Sequence, residues 1–262
     1  MRPIYKYPRT HHIEGSGLQQ GDDAQSTASF RQLVNQHLVV EEKMDGANSA
    51  ISFDSDGNLL LQSRGHYLSG GPREQQFHLF KTWASRYTYE LWELLGDRYV
   101  MYGEWLYAKH TIFYTDLPHY FLEFDVYDIT TNTFLSTAQR RELLQSAPFI
   151  TSVRVLHEGN MASLSALQAM IGPSAFIADN QMAQLHEACH EYGLDPIQVQ
   201  HETDNCQLME GLYVKVETPT VVTERYKYIR AGFLQTVFDS QSHWMDRPLL
   251  PNRLRDDINL FT

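Results

Sequence analysis

Three short apolar runs, Val39 to Glu42, Ser49 to Phe53 and Leu59 to Gln62, are cut apart by the turn dipeptides Asp45-Gly46 and Asp56-Gly57. Runs of this length bounded by such turns read as strands, and their spacing predicts an antiparallel meander with Lys43 at the end of the first strand. Phe77, Phe80, Trp83, Ala84, Tyr87, Leu91, Leu94 and Leu95 then recur at helical spacing, predicting one long amphipathic helix from Glu74 to Leu95. Tyr99 to Leu106 and Tyr120 to Asp128 are aromatic and β-branched, hence central strands, and a helix is expected near Thr137 to Ser146. Residues from Ser163 to Tyr192 read as helix in two pieces broken at Gly172-Pro173, and strand character returns at Gly211 to Glu217 and Val221 to Ile229. Strands lead, helices intrude and strands finish, which is an α+β pattern rather than a series of βαβ units.

A chain of 262 residues that is 42% hydrophobic can bury one sizeable core. The stretch Met1 to Gly15 mixes Arg, Lys, His and Glu without an apolar centre, so it does not read as a signal peptide. No window approaches the roughly 20 apolar residues of a membrane span. Cys189 and Cys206 are too few for a disulfide framework, which points to a reducing, cytoplasmic compartment. The formal net charge of -11 argues against a protein that coats nucleic acid by neutralising phosphates. Yet Arg225, Lys227, Arg230, Arg247, Arg253 and Arg255 cluster towards one end, whereas Lys215 is the only Lys or Arg between Val155 and Glu224.

The chemistry-bearing residues begin with Glu41-Glu42-Lys43-Met44-Asp45-Gly46-Ala47-Asn48. An amine with a pKa of about 10.4 is a poor nucleophile at neutral pH. A reactive lysine therefore needs a neighbouring cation or desolvation to release its proton, and Lys215, Lys227 or a bound metal would supply the positive potential. Taken alone, a lysine among acids is a surface salt-bridge cluster. Arg64, after the third strand, is suited to a bidentate grip on a phosphate. Glu104 follows Gly103, a glycine that would let a ligand approach closely. Phe124, within a strand, offers a face for a purine. Glu210 and Lys215 bracket one strand, and Arg225 and Lys227 share a face of the next by the period of two.

In their order along the chain these residues resemble the covalent nucleotidyltransferase superfamily of ATP-dependent DNA ligases, RNA ligases and capping guanylyltransferases. The signature Lys-x-Asp-Gly appears as Lys43-Met44-Asp45-Gly46, followed by Arg64, Gly103-Glu104, Phe124-Asp125, Glu210 to Lys215 and Arg225-Tyr226-Lys227. The last departs from the family pattern, since Arg225 replaces a lysine. Asn48, five residues after the nucleophile, resembles RNA ligases of the phage nick-sealing type, where DNA ligases usually carry Arg. The stretch after Arg230, with His243-Trp244-Met245-Asp246-Arg247-Pro248 and Pro251-Asn252-Arg253, is similar to small bacterial RNA ligases.

The resemblance implies an α+β nucleotidyltransferase (ATP-grasp-like ligase adenylation) fold with antiparallel sheets flanked by helices. It divides the chain into an adenylation domain over residues 1–230 and a short C-terminal segment over residues 231–262, without a complete oligonucleotide-binding barrel. The implied activity is ATP-dependent RNA ligation in RNA repair, joining a 3′-hydroxyl to a 5′-phosphate through lysyl-AMP. ATP and Mg2+ or Mn2+ are the implied cofactors; RNA ends, nicked or broken, are the partners of a monomer that a second protein would help to load. Lys43 would be the catalytic nucleophile. Glu42, Asp45, Gly46, Asn48, Arg64, Glu104, Phe124, Lys215 and Lys227 would bind the nucleotide, with Glu104 and Glu210 at the metal.

Closer alternatives are DNA nick ligation and capping-type transfer. A catalytically silent nucleotide-sensing or RNA-binding module of the same fold is a further one. A remote one is zinc hydrolysis through His186-Glu187-Ala188-Cys189-His190, which satisfies the His-Glu-x-x-His pattern. Against it, Met182, Leu185, Cys189 and Tyr192 form the apolar stripe of that helix and turn Glu187 and His190 outward. The polar N-terminal run Tyr7 to Ser16 reads either as a substrate edge or as an ordinary capped turn. With labelled ATP and a denaturing gel, Lys43→Ala should abolish covalent labelling of the protein, whereas Asn48→Ala should keep it.

Overall fold

The computed structural model describes residues 3–18, 27–240 and 247–261, with the side chains of residues 72 and 73 excepted. The predicted stretch from His243 to Asp246 therefore lies outside the described residues. Eleven strands form one connected hydrogen-bonded array: β1 (His11–His12), β2 (Leu38–Lys43), β3 (Ala47–Phe53), β4 (Leu59–Ser63), β5 (Tyr99–Trp105), β6 (Phe121–Asp128), β7 (Thr133–Leu135), β8 (Thr151–Ser152), β9 (Val155–Gly159), β10 (Gly211–Glu217) and β11 (Val221–Ile229). Their main path runs β4-β3-β5-β6-β7-β11-β10-β2-β9, and every pairing along it is antiparallel. The fold is α+β, as the alternation of long strand and helix stretches predicts.

The expected meander does not form as such. β3 pairs with β4, but β2 pairs with β10 and β9, so the consecutive strands β2 and β3 lie far apart on the path. The cause is the short connection between them. The Asp45 carboxylate accepts the backbone N–H groups of Thr111 and Ile112, both at 2.7 Å, and the Asp45 N–H donates to the Tyr114 hydroxyl at 2.9 Å. Gly46 lies against β5, where a Cβ would come within 2.8 Å of the Trp105 carbonyl oxygen and 2.9 Å of Glu104 Cγ. Such close approach admits only glycine. The chain is thereby handed from β10 to β5, leaving Lys43 at the point of divergence.

The array folds over on itself. At about 4.8 Å per strand step, a flat sheet would hold β2 and β6, four steps apart on the path, roughly 19 Å from one another. Instead the Arg140 guanidinium bridges Glu41 of β2 at 2.9 Å and Glu123 of β6 at 3.1 Å. Lys215 of β10 lies 2.9 Å from Glu41 and 3.2 Å from Asp125, and it also donates to the Phe124 carbonyl. All five charged side chains are buried. Isolated charges in such a place would be prohibitively costly, so the network survives only because each member has partners of opposite sign. Burial opposes ionisation of Asp125, but Lys215, Arg225 and Arg140 outweigh it and hold the carboxyl down to about 2.

Helices α1 (His78–Arg86) and α2 (Thr88–Leu95) cover the main core through Phe80, Trp83, Ala84, Leu91, Leu94 and Leu95. The single helix expected from Glu74 to Leu95 is thus in three parts, a 3-10 turn at Pro72–Phe77 and two α segments parted at Tyr87. The Thr88 hydroxyl donates to the carbonyls of Ala84 and Ser85, at 3.2 and 2.9 Å, competing with the helical ladder at the break. α3 (Thr137–Leu144) carries Arg140 into the charge network. The expected two-piece helix from Ser163 to Tyr192 is reduced to α4 (Leu164–Gln168) and α5 (Gln181–Tyr192). α5 ends at Gly193 in the left-handed region, and α6 (Pro196–His201) packs beside it.

Beyond residue 230, α7 (Ala231–Asp239) puts Phe233 and Leu234 into the main core, and Leu260 joins the same cluster. Asn252 accepts from the Tyr114 N–H at 2.9 Å and donates to the Leu106 carbonyl at 2.7 Å. The C-terminal stretch therefore braces the same loop that holds Asp45. Arg140→Met should remove the cation between two buried carboxylates and destabilise the fold by roughly 3–5 kcal/mol, measured as a lower urea midpoint with an unchanged m-value.

Candidate active site

Lys43 ends β2 directly opposite Gly211 of β10, which places Glu210 beside it. The Lys43 ammonium lies 2.7 Å from Glu210 Oε1, and a quarter of the lysine side chain remains open to solvent. No Cβ fits at Gly211, since it would fall 2.0 Å from the Tyr228 carbonyl oxygen of β11. Across the divergence, Asn48 of β3 is the register partner of Glu104 of β5, so the two side chains share a face. Gly103, read from the sequence as a place for a ligand, instead admits the Phe121 ring, which would lie 2.4 Å from an added Cβ.

These residues line one cavity of about 1260 Å3. Glu42, Lys43, Asp45, Gly46, Asn48, Arg64, Glu104, Phe124, Glu210 and Lys227 all contribute to its wall. Lys215 does not; it lies behind the wall in the buried charge network. Arg225 turns from Lys227 to Asp125, with Nε at 3.1 Å from the carboxylate and its guanidinium 3.7 Å above the Phe134 ring. Glu42 is buried, accepts a hydrogen bond from the Ser174 hydroxyl, and burial raises its carboxyl above the usual range against Ser174 and Arg154.

The electrostatics reverse one expectation. Cations were to strip Lys43 of its proton, but the groups that face it are acids. Burial draws its amine down, while Glu210, Glu104 and Asp45 more than compensate and hold it above the ordinary lysine value. The acids bear the reciprocal strain. Burial pushes Glu104 up to about 8, with Glu210 and Asp45 adding to it, and Glu210 up to about 7, with Asp45 adding to it, in both cases against the Lys43 charge. In this state Lys43 is an ammonium and no nucleophile.

Further wall residues come from the N-terminal run Tyr7 to Ser16, which the sequence leaves open between a substrate edge and a capped turn. Tyr7, Thr10 and His12 enter the cavity because the N-terminal run crosses its edge and pairs with β11 through β1. The Tyr7 hydroxyl donates to Asp125 and lies 2.5 Å from that of Tyr213, while its ring meets Phe124 edge-on at 5.2 Å. Lys109 and Arg247 form another part of the wall. Tyr213 shares its strand face with Lys215 by the alternation of β10, and Arg247 belongs to the basic cluster and to the stretch likened to small RNA ligases, whereas nothing local marks Lys109.

The His-Glu-x-x-His run lies on α5, away from this cavity. Leu185, Ala188 and Cys189 are buried, whereas His186, Glu187 and His190 are exposed. His186 Nε2 is 2.9 Å from Gln200 Oε1, and Glu187 accepts from Arg253 at 2.8 Å. Tyr192, expected in the apolar stripe, is exposed because the helix ends one residue later.

This architecture, with a lysine at the parting of two strands and acids on both sides, is a nucleotidyltransferase fold. The chain belongs to the RNA ligase family, whose model matches residues 36–229. Among solved structures, a variant of Naegleria gruberi RNA ligase with ATP and Mn is 17% identical, with a TM-score of 0.52 over 80% of this chain and 54% of that one. A second variant of the same protein, with AMP and Mn, gives 17% and 0.54 over the same shares. A third, also with AMP and Mn, gives 16% and 0.56 over 90% of this chain and 59% of that one. The chain thus spans a little over half the length of these structures. No curated protein sequence matches it. Among the described residues, no helix is long and apolar enough to cross a membrane.

The acid pair is also suited to a hard divalent cation. Glu210 Oε2 is buried without a hydrogen-bond partner among the described residues, and carboxylate oxygens are the donors Mg2+ and Mn2+ take. A cation must displace protons from groups that titrate near 7 and 8, so it binds better as pH rises through that range. The rise in melting temperature on adding Mn2+ should therefore be larger at pH 8 than at pH 6, and should vanish in Glu104→Gln/Glu210→Gln.

Proposed function

We propose that the chain is an ATP-dependent RNA ligase that uses Lys43 as its nucleophile. The observation that carries this reading is the Lys43 amine, 2.7 Å from Glu210, at the edge of a cavity whose wall also holds Glu104, Asn48, Arg64, Phe124 and Lys227. Family membership and the ATP, AMP and Mn of the related structures support it.

In the first step the deprotonated Lys43 amine attacks the α-phosphorus of ATP; an N–P bond forms, the bond to the bridging oxygen breaks and pyrophosphate leaves with the electron pair. Glu210 and Glu104 would hold the divalent cation, whose charge would offset theirs and relax their hold on the lysine proton. Lys43 then passes that proton to solvent, and a second N–H proton follows it as the N–P bond forms. Phe124 and Tyr213 offer aromatic surface to the adenine, and the buried Glu42 reads its edge. Arg64 and Lys227 stabilise charge growing on the phosphates. Lys215 acts at one remove, by fixing the main chain of Phe124 and the carboxylate of Glu41.

In the second step an RNA 5′-phosphate oxygen attacks the same phosphorus, the N–P bond breaks and Lys43 leaves as the amine, its nitrogen taking a proton from solvent. In the third, a 3′-hydroxyl attacks the activated 5′-phosphate, losing its proton and expelling AMP. Asn48, beside Glu104, serves these later steps by positioning. Most of the acceleration in such chemistry comes from placement and charge. RNA repair in the cytoplasm by a monomer, with another protein presenting the ends, completes the reading.

Incubated with ATP and Mn2+, the protein should seal nicked duplexes or single strands carrying an RNA 3′-hydroxyl and a 5′-phosphate. A panel that includes matched DNA nicks decides the class. Sealing of DNA with no RNA product would transfer the reading to DNA ligase, and covalent labelling by GTP in place of ATP would transfer it to a capping-type enzyme.

A further inference from the structure

Two buried cations of the cavity have no place in the adenylation chemistry above. Lys109 is 7% exposed, and its Nζ donates to the carbonyl oxygens of His110 and Glu202, each at 3.1 Å. The Arg247 guanidinium donates to the same two oxygens, at 2.8 and 3.3 Å. An ammonium and a guanidinium thus hang from one pair of carbonyl dipoles. The Glu202 carboxylate lies 3.6 Å from Arg247 Nε, whereas Lys109 reaches Glu202 through its backbone carbonyl. Both residues contribute to the cavity wall.

Like charges packed together in a poorly hydrated wall repel one another, and the proton balance of the lysine shows it. Burial first, then Arg247, push the Lys109 amine down to about 7, and Asp45 and Glu202 recover only part. Burial likewise draws Arg247 below its usual range. An incoming anion would relieve this strain, and a planar fork beside a point charge matches the tetrahedral oxygens of a phosphate.

The strand register says which phosphate. Tyr213 stands opposite Glu41, and Phe124 reaches the same level through Lys215, so the aromatic end of the cavity lies two residues back along β2 from Lys43. Asp45 lies two residues onward, and it grips the segment Thr111–Ile112 that follows Lys109 and His110. The cation pair is therefore tied to the Asp45 side of Lys43, and the aromatic side chains to the Glu41 side. The cavity, at about 1260 Å3, also exceeds the roughly 300–1,000 Å3 of pockets that hold one small ligand. There is room for a strand end beside the nucleotide.

We infer that Lys109 and Arg247 form a receptor for the 5′-terminal phosphate of the RNA strand that accepts AMP from Lys43. The inference rests on the ligase reading and assigns the pair to its second substrate. The pair is contributed by the loop after β5 and by the C-terminal stretch, which gives the brace between Asn252 and Tyr114 a consequence at the site.

Fluorescence anisotropy with a labelled RNA oligonucleotide, bearing either a 5′-phosphate or a 5′-hydroxyl, tests it without ATP. The wild type should prefer the phosphorylated strand by about tenfold or more, the scale of one charge-assisted contact. In Lys109→Met and in Arg247→Met the preference should fall to near unity, and Lys109→Arg should retain most of it. Melting temperatures identify any variant that has not folded, and the wild-type comparison stands without the variants. No preference in the wild type, or an undiminished one in folded Lys109→Met and Arg247→Met, overturns the inference. So does a loss of covalent ATP labelling in these variants with the RNA preference intact, which would give the pair to the triphosphate. Because the binding measurement needs no reaction at Lys43, a wild type that discriminates RNA ends but takes no label would fail the ligase reading and not this one.

Discussion

The grip of one carboxylate on two backbone amides organises this protein. Asp45 takes the N–H groups of Thr111 and Ile112 and so prevents β2 and β3 from closing into a hairpin. Each strand then finds a different partner, β10 on one side and β5 on the other. Lys43 is the last residue of β2 and Asn48 the second of β3, so a five-residue interval in sequence becomes the two lips of a cavity. The Asp of the Lys-x-Asp-Gly motif thereby earns its position through the backbone, and the Gly after it through the absence of a side chain against Trp105 and Glu104.

A division of labour among charges follows from that split. Lys215, Arg140 and Arg225 are drawn behind the cavity wall by Glu41, Glu123 and Asp125, where they tie the folded-over sheet together. The carboxylates left at the front, Glu104 and Glu210, face Lys43, with Lys227 also acting on Glu210, and burial raises both above the usual carboxylate range. The resting site is consequently one in which acid and amine quench each other. A divalent cation held by Glu104 and Glu210 would offset their charge and so weaken their hold on the amine's proton. The net charge of -11 is compatible with a phosphate-handling enzyme on these terms, since the cations that matter are few, buried and aimed.

Much of the site was legible in the chain itself. Lys43, Glu104, Phe124, Glu210 and Lys227, each weak by itself, are picked out by an order that resembles the nucleotidyltransferase motifs, and the structure gathers them at one cavity. Strands β10 and β11 match the expected bounds, where alternation is uninterrupted. The failures have local causes. The long helix divides at Tyr87 because a threonine hydroxyl takes two carbonyls from its ladder. Lys215 shares the spacing of a site residue but faces the network instead, a choice that depends on the partners β2 and β6 present to it. Gly103 keeps its place for a phenylalanine ring and not for a ligand.

Strand character, the order of the motif residues and the chemical kind of each are properties of short windows, and the sequence determined them. Which strand lies beside which, the sign of the field at Lys43, and the arrival of Tyr7, Lys109 and Arg247 at the same cavity depend largely on contacts between residues distant in the chain, 66 positions for Asp45 and Thr111 and 206 for Tyr7 and Tyr213. Tertiary structure alone decided these, because the energy of a charge or a hydrogen bond is set by what surrounds it in space, and that surrounding has no signature in any stretch of neighbouring residues.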